Sequence, residues 1–216
     1  MKIPQDRIKE LTKDFLTPFF KENGFRKSGN RFYKPVNDFS YIIEMQSSRF
    51  NSKEEAQFTF NVSLYIHQYF RHVYNAEPPN CPTNNHNLVP PSKRSGHICE
   101  AGDKWYTVNQ ENLLIEVAQE IIDDFNHYVI PYFEQFQNID DIIQYGFESM
   151  SLPHHKSLCN PIQFSMLLLA LGRKTEAEQI FRDLWTKNSD RTDPKAEEYL
   201  EWLEEMAANT GINIPK

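Results

Sequence analysis

Residues 57–68 constrain the fold more than any other stretch. Phe58, Phe60, Val62, Leu64 and Ile66 alternate with Thr59, Asn61, Ser63, Tyr65 and His67. A period of two sends the first set to one side of an extended chain and the second set to the other. One greasy face and one polar face suit an antiparallel sheet with a single solvated side. Its expected neighbours precede it. Residues 39–46 place Phe39, Tyr41, Ile43 and Met45 on one side, and residues 25–28 and 31–34 flank Gly29-Asn30, a two-residue hairpin turn. Residues 104–108 read as a last strand, and a short one is expected within 96–99.

Helical spacing takes over elsewhere. Ile8, Leu11, Phe15 and Phe19 form a stripe over residues 6–23, ended by Gly24, with a kink expected at Pro18. Leu114, Val117, Ala118, Ile121, Ile122 and Phe125 form a second stripe, with Asn109 as its expected N-cap and Pro131 as its expected break. A short helix is expected over 139–148 and a linker over 151–159. Three helices then follow, opened by Asn160-Pro161, by a capping box at Thr175–Glu178, and by Asp193-Pro194. The first two resemble a single tetratricopeptide-type hairpin. One copy is too few for a free-standing solenoid, which favours an ordinary helical hairpin. The expectation is an α+β fold. An antiparallel sheet of five to six strands packs with helices over residues 1–150, and a helical extension covers 151–216.

Composition narrows the function classes. The net charge of −7 repels phosphate backbones and favours a basic protein as partner. Three widely spaced cysteines make no disulfide framework. The chain opens without an apolar signal core, and the run 166–171 is too short to span a bilayer. The cytoplasm is the expected compartment, with no membrane association. Walker-type and dinucleotide fingerprints are missing among seven glycines, so no nucleotide and no cofactor is implied.

Short motifs in a consistent order carry a resemblance. They are Phe15-Leu16 with Pro18, Asn23-Gly24-Phe25-Arg26-Lys27, Arg31-Phe32-Tyr33, Gln46-Ser47-Ser48-Arg49 and Phe58-Thr59-Phe60-Asn61-Val62. Asp103-Lys104-Trp105-Tyr106, Ile130-Pro131-Tyr132-Phe133 and the pair Arg94 with Gly96 continue the series. Residues 6–148 thereby resemble a mainly bacterial family known as domain of unknown function 4304, from which Tyr106 departs where a second tryptophan is usual. The resemblance implies a small sheet-and-helix domain and brings no catalytic residues.

Five constellations are candidates for chemistry. Glu44, Gln46, Asn61, Tyr65 and His67 on the polar sheet face, with Arg94, Asp103 and Trp105, are a candidate small-ligand set; Glu44 and His67 would serve as base and acid if they converged. Cys81, His86, His97 and Cys99 are ligand types for zinc, with His97 and Cys99 pointing the same way on a strand, although their spacing departs from paired-knuckle patterns. Cys159 near His154-His155 and Ser151 lacks a nucleophile elbow. The missing Gly-rich cradle argues against phosphate binding. Arg26, Lys27, Arg31 and Lys34 around Phe32 and Tyr33 suggest single-stranded nucleic acid, or more simply an edge strand guarded by charge. With no catalytic motif, the leading expectation is a non-enzymatic protein-binding module of adaptor or immunity-like type. The alternative is a small-ligand binder or hydrolase working on the polar sheet face or through a metal in the Pro-rich segment 75–103.

Overall fold

The computed structural model describes residues 3–81, 89–152 and 159–214. Along the chain run α1 (Pro4–Leu11), a π-helical turn (Thr12–Leu16), α2 (Thr17–Glu22), β1 (Arg26–Ser28), β2 (Arg31–Val36), β3 (Phe39–Ser47), β4 (Glu55–Ile66) and α3 (His67–Tyr74). There follow β5 (Val89–Arg94), α4 (Ser95–Ile98), β6 (Tyr106–Asn109), α5 (Leu114–Asp124), a second π turn (Phe125–Val129), α6 (Ile130–Glu134) and α7 (Ile139–Ser151). The last three helices are α8 (Pro161–Ala170), α9 (Lys174–Ser189) and α10 (Pro194–Thr210). The fold is α+β, and its contacts divide it into two compact units. One comprises Met1–Ile66 and Pro79–Tyr145, the other His67–Pro78 and Gly146–Lys216.

The first unit is built on one antiparallel sheet in the order β1-β2-β3-β4-β5, with β6 also paired to β4. The alternation in β4 does what its period requires. Phe58, Phe60, Val62 and Leu64 are buried, and across β3 they meet Tyr41, Ile43 and Met45 on the same side. Helices cover this side. Phe20 of α2 and Phe125 of the second π turn lie edge-on to each other at 5.0 Å, and both rings abut Phe60. The ring of Tyr41 stacks on Phe133 of α6 at 4.5 Å and its hydroxyl donates to the Phe136 carbonyl.

Pro18, the expected kink, and Pro131, the expected break, are both accommodated by π turns. The N–H of Thr17, just before Pro18, reaches back to the Thr12 carbonyl, and that of Ile130, just before Pro131, reaches the Phe125 carbonyl. Each bond spans five residues rather than four. Widening the helix by one residue accommodates a ring that would strike the carbonyl four positions back. Helix α2 ends as read at Gly24, whose φ of +85° lets Gly24 and Phe25 donate to the Lys21 and Phe20 carbonyls.

Several boundaries differ from expectation. Strand β4 stops at Ile66 and His67 begins α3. The strand expected at 96–99 lies earlier, as β5, and Ser95–Ile98 is helical. Asn109 caps no helix: its Oδ1 accepts from the N–H groups of Glu111 and Asn112 in a turn, and α5 starts at Leu114 without a side-chain cap.

In the second unit, Asn160 caps α8 through the N–H groups of Ile162 and Gln163, and Asp193 caps α10 through that of Ala196. The capping box expected at Thr175 is not formed; α9 starts at Lys174, and Glu176 pairs with Arg173. Phe164 of α8 sits edge-on to Phe147 at 5.1 Å and covers Gly146. Among the described residues, no helix is long and apolar enough to cross a membrane.

Candidate functional site

The sheet register assembles a row of polar residues. Arg31 pairs with Glu44, Glu44 with Asn61, and Asn61 with Arg94, so these four lie side by side across β2, β3, β4 and β5. Cross-strand partners share a face, so one face receives them all. Glu44 accepts from Arg31 at 3.2 Å, and Asn61 donates to Gln46 at 2.8 Å. Arg94 pairs with Asp103 and lies over the Trp105 ring at 5.2 Å, and the Trp105 indole N–H donates to Asp103 at 3.2 Å. Six candidate ligand residues therefore fall into three bonded groups: Glu44 with Arg31, Gln46 with Asn61, and Arg94 with Asp103 and Trp105.

The other two candidates are elsewhere. Tyr65 is buried opposite Ser40. His67 follows Ile66, which pairs with Phe39 at the end of β3 remote from Glu44. Five residues of strand, roughly 17 Å, separate those β3 positions, so the register gives Glu44 no acid partner at that end of β4.

This face is polar as read and only partly solvated, with Glu44, Gln46 and Asn61 half-buried. Thr59, Ser63 and Tyr65 are buried, and Thr59 donates to the Lys104 carbonyl at 2.9 Å. Arg31, held at 4 % exposure, pairs with Glu44 at 3.2 Å. The Arg94 hydrogen bond, and then that from Trp105, hold the Asp103 carboxyl below the usual carboxylate range. A carboxylate stabilised in that way is a weak base near neutrality. Each group is bonded within itself, which suits structural clasps better than acid–base chemistry.

The metal candidates do not converge. Cys81 lies beside Ser28, Arg31 and Glu44. Cys99 is at the end of α4, buried near Asp124 and Lys104, while His97 is exposed. The helix at Ser95–Ile98 removes the strand geometry that would aim His97 and Cys99 together. His86 is outside the described residues, and among the described ones no group of three His, Cys, Asp or Glu is placed to hold a metal. His154 and His155 are likewise outside the described residues; Ser151 donates to the Glu148 carbonyl and Cys159 is buried.

Burial, and then the Asp124 charge, push the Cys99 thiol up to about 11, and burial pushes Cys159 up to about 12. The thiolate is the reactive form. Burial raises the Cys81 thiol as well, but Cys81 is only half-buried, so iodoacetamide at pH 8 is expected to modify Cys81 first, with Cys99 and Cys159 reacting only on unfolding. Peptide mass spectrometry reads this order, and equal rates at Cys81 and Cys99 contradict the placement.

A second cluster had no signal in the sequence. Lys104 holds Asp124 and Glu120, the latter at 2.9 Å, while the Tyr106 hydroxyl donates to Asp124 at 2.6 Å. Burial opposes the Lys104 charge, but the hydrogen bonds to both carboxylates outweigh it and raise its pKa. The basic hairpin is dispersed: Arg31 faces Glu44, whereas Lys27 and Lys34 lie over the rings of Phe32 and Phe25. Its first strand is the sheet edge.

The second unit carries a groove of about 530 Å³. Gly211, at φ +68°, closes α10 so that Ile212 donates to the Ala207 carbonyl and folds back, buried, toward the helix. Trp185, Ile212 and Ile214 supply apolar walls, and Glu201, Glu204 and Glu205 supply the charge.

The comparisons with known proteins place the first unit. No curated protein and no solved structure matches the chain. A family model described as Domain of unknown function (DUF4304) matches residues 16–135, from the end of the first π turn to just past α6. That span takes in all six strands of the sheet and both prolines, and it stops short of α8, α9 and α10. More than half of the chain is matched, and the chain belongs to the DUF4304 family.

Proposed function

We propose that the protein is a non-enzymatic binding module, of adaptor or immunity-like type, whose protein partner offers a basic segment to the groove of the second unit. The observation that carries this reading is the groove's composition. Three glutamates stand beside an indole and two isoleucines. An aromatic and aliphatic floor with charge of one sign suits an amphipathic segment bearing Lys or Arg. The chain's net charge of −7 draws such a partner from a distance. The paired groups on the sheet face support the non-enzymatic part, because their polar side chains bind one another. The compartment proposed with this reading is a bacterial cytoplasm, with which the unbridged thiols Cys81, Cys99 and Cys159 agree.

Affinity capture with the full chain tests the reading against a triple variant, Glu201→Lys, Glu204→Lys and Glu205→Lys. Lysine keeps the helix propensity of glutamate, so α10 should persist. The native chain should retain a stoichiometric partner in low salt and release it near 0.5 M salt, where the screening length is about 4 Å. The variant should lose at least about tenfold in affinity. A lysate that yields no stoichiometric partner, or a partner the variant holds equally well, refutes the proposal.

A further inference from the structure

A second cavity, of about 550 Å³, lies wholly within the first unit, between α1, the first π turn and the β1–β2 turn. We propose that it binds a small organic anion with an apolar body. Its volume lies in the range that holds small molecules. Ile8 and Met45 are apolar and buried in its wall. Lys9, Lys13 and Lys27 surround it, and among the described residues no acid lines it. In a chain of net charge −7 this is a local reversal of sign. Lys9 shares its charge with Asp6 at 2.9 Å, and Lys27 donates to the Gly29 carbonyl at 2.7 Å without losing its own.

Gln5 also stands in the wall. Its Nε2 donates to the Ser52 carbonyl at 2.9 Å, which fixes the amide, while its Oε1 is buried with no hydrogen-bond partner. The π turn contributes the shape. Thr12 and Thr17 both line the cavity, five residues apart. That spacing matches the i to i−5 bond between them and not the four-residue step of an α-helix. The turn that admits Pro18 thus also brings the two threonines to the cavity wall. Such turns recur at functional sites.

N-octanoylglycine presents a carboxylate, an amide N–H and an alkyl body, and it serves as the probe. Titration calorimetry with the full chain should show saturable binding at one site. Its methyl ester, which lacks the charge, should bind at least about tenfold more weakly. Lys13→Glu with Lys27→Glu, both at exposed positions, should cost at least about tenfold while leaving the circular dichroism melt unchanged. The Met45 methyl resonance should shift with the same saturation curve, locating the ligand. Absent saturable binding, equal binding of acid and ester, unchanged affinity in the double variant, or a silent Met45 methyl would each overturn the proposal. None of these readouts involves Glu201, Glu204 or Glu205, so failure here leaves the partner groove untouched, and the reverse holds.

Discussion

Phe20→Ala is expected to lower the stability of the first unit by about 3–5 kcal/mol. The ring is fully buried, and it is the meeting point of the helical layer and the sheet. It lies 4.3 Å from Phe32, 5.0 Å from Phe125, 5.2 Å from Phe19 and 6.0 Å from Phe25, centroid to centroid. Truncation therefore removes the transfer free energy of one benzyl group and breaks several aromatic pairs, each worth about 0.5–1.5 kcal/mol beyond its area. It also leaves a void that stiff neighbouring rings fill poorly. Phe50→Ala is the matched control: Phe50 is 78 % exposed, and its loss should stay within about 0.5 kcal/mol. Urea denaturation of the full chain, with hydrogen exchange of the β3 and β4 amides as a local reporter, measures both. A Phe20→Ala cost near that of Phe50→Ala would mean that the helices do not pack on the sheet as described.

The strand core of this unit is legible from sequence because its signal is local. Phe58 to Ile66 alternates without interruption, and Gly29-Asn30 stands between two short basic runs, so strand and hairpin follow from neighbouring residues alone. Helix ends at Asn160, Gly24 and Asp193 are legible for the same reason. What depends on a distant partner is not. Asn109 has the side chain of an N-cap, but it satisfies Glu111 and Asn112 instead. Pro18 reads as a kink and Pro131 as a break, because a π turn is decided by what the widened helix packs against. The polar residues of β4 read as solvated, yet the carbonyl of Lys104, forty-five residues along the chain, is what Thr59 bonds.

The candidate site was legible in part for a related reason. Glu44, Gln46 and Asn61 share a face by alternation alone, whereas Arg94, Asp103 and Trp105 entered through the family motifs rather than through spacing. Arg31 and Cys81, assigned from sequence to a basic hairpin and a metal set, belong beside Glu44. Charge and residue type cannot say which face of a hairpin a side chain takes once the turn register is unknown. Nor does any sequence pattern announce the cavity at Gln5, Lys13 and Lys27, since its walls come from a helix, a turn and a strand that lie well apart along the chain.

Gly96→Ala is expected to be the most disruptive single-methyl change in the first unit, costing about 3 kcal/mol or more. A Cβ at Gly96 would lie 2.4 Å from the Gly102 carbonyl oxygen and 2.5 Å from the Lys104 nitrogen. Both obstacles are backbone, so no rotamer relieves them. Moving residues 102–104 away would also loosen the Arg94–Asp103 pair and the Thr59 bond to Lys104. Gly146→Ala in the second unit provides the contrast. There a Cβ would come within 2.2 Å of the Phe164 ring, and nothing but that side chain stands nearest. Gly146→Ala should therefore be rescued in part by Phe164→Leu, the double variant being more stable than Gly146→Ala alone, a coupling that a double-mutant cycle reads. No side-chain replacement at Lys104 should rescue Gly96→Ala, because the collision is with its main chain. If Gly96→Ala folds within about 1 kcal/mol of the native chain, the close approach of α4 to residues 102–104 is wrong, and with it the placement of Asp103 and Trp105 beside Arg94.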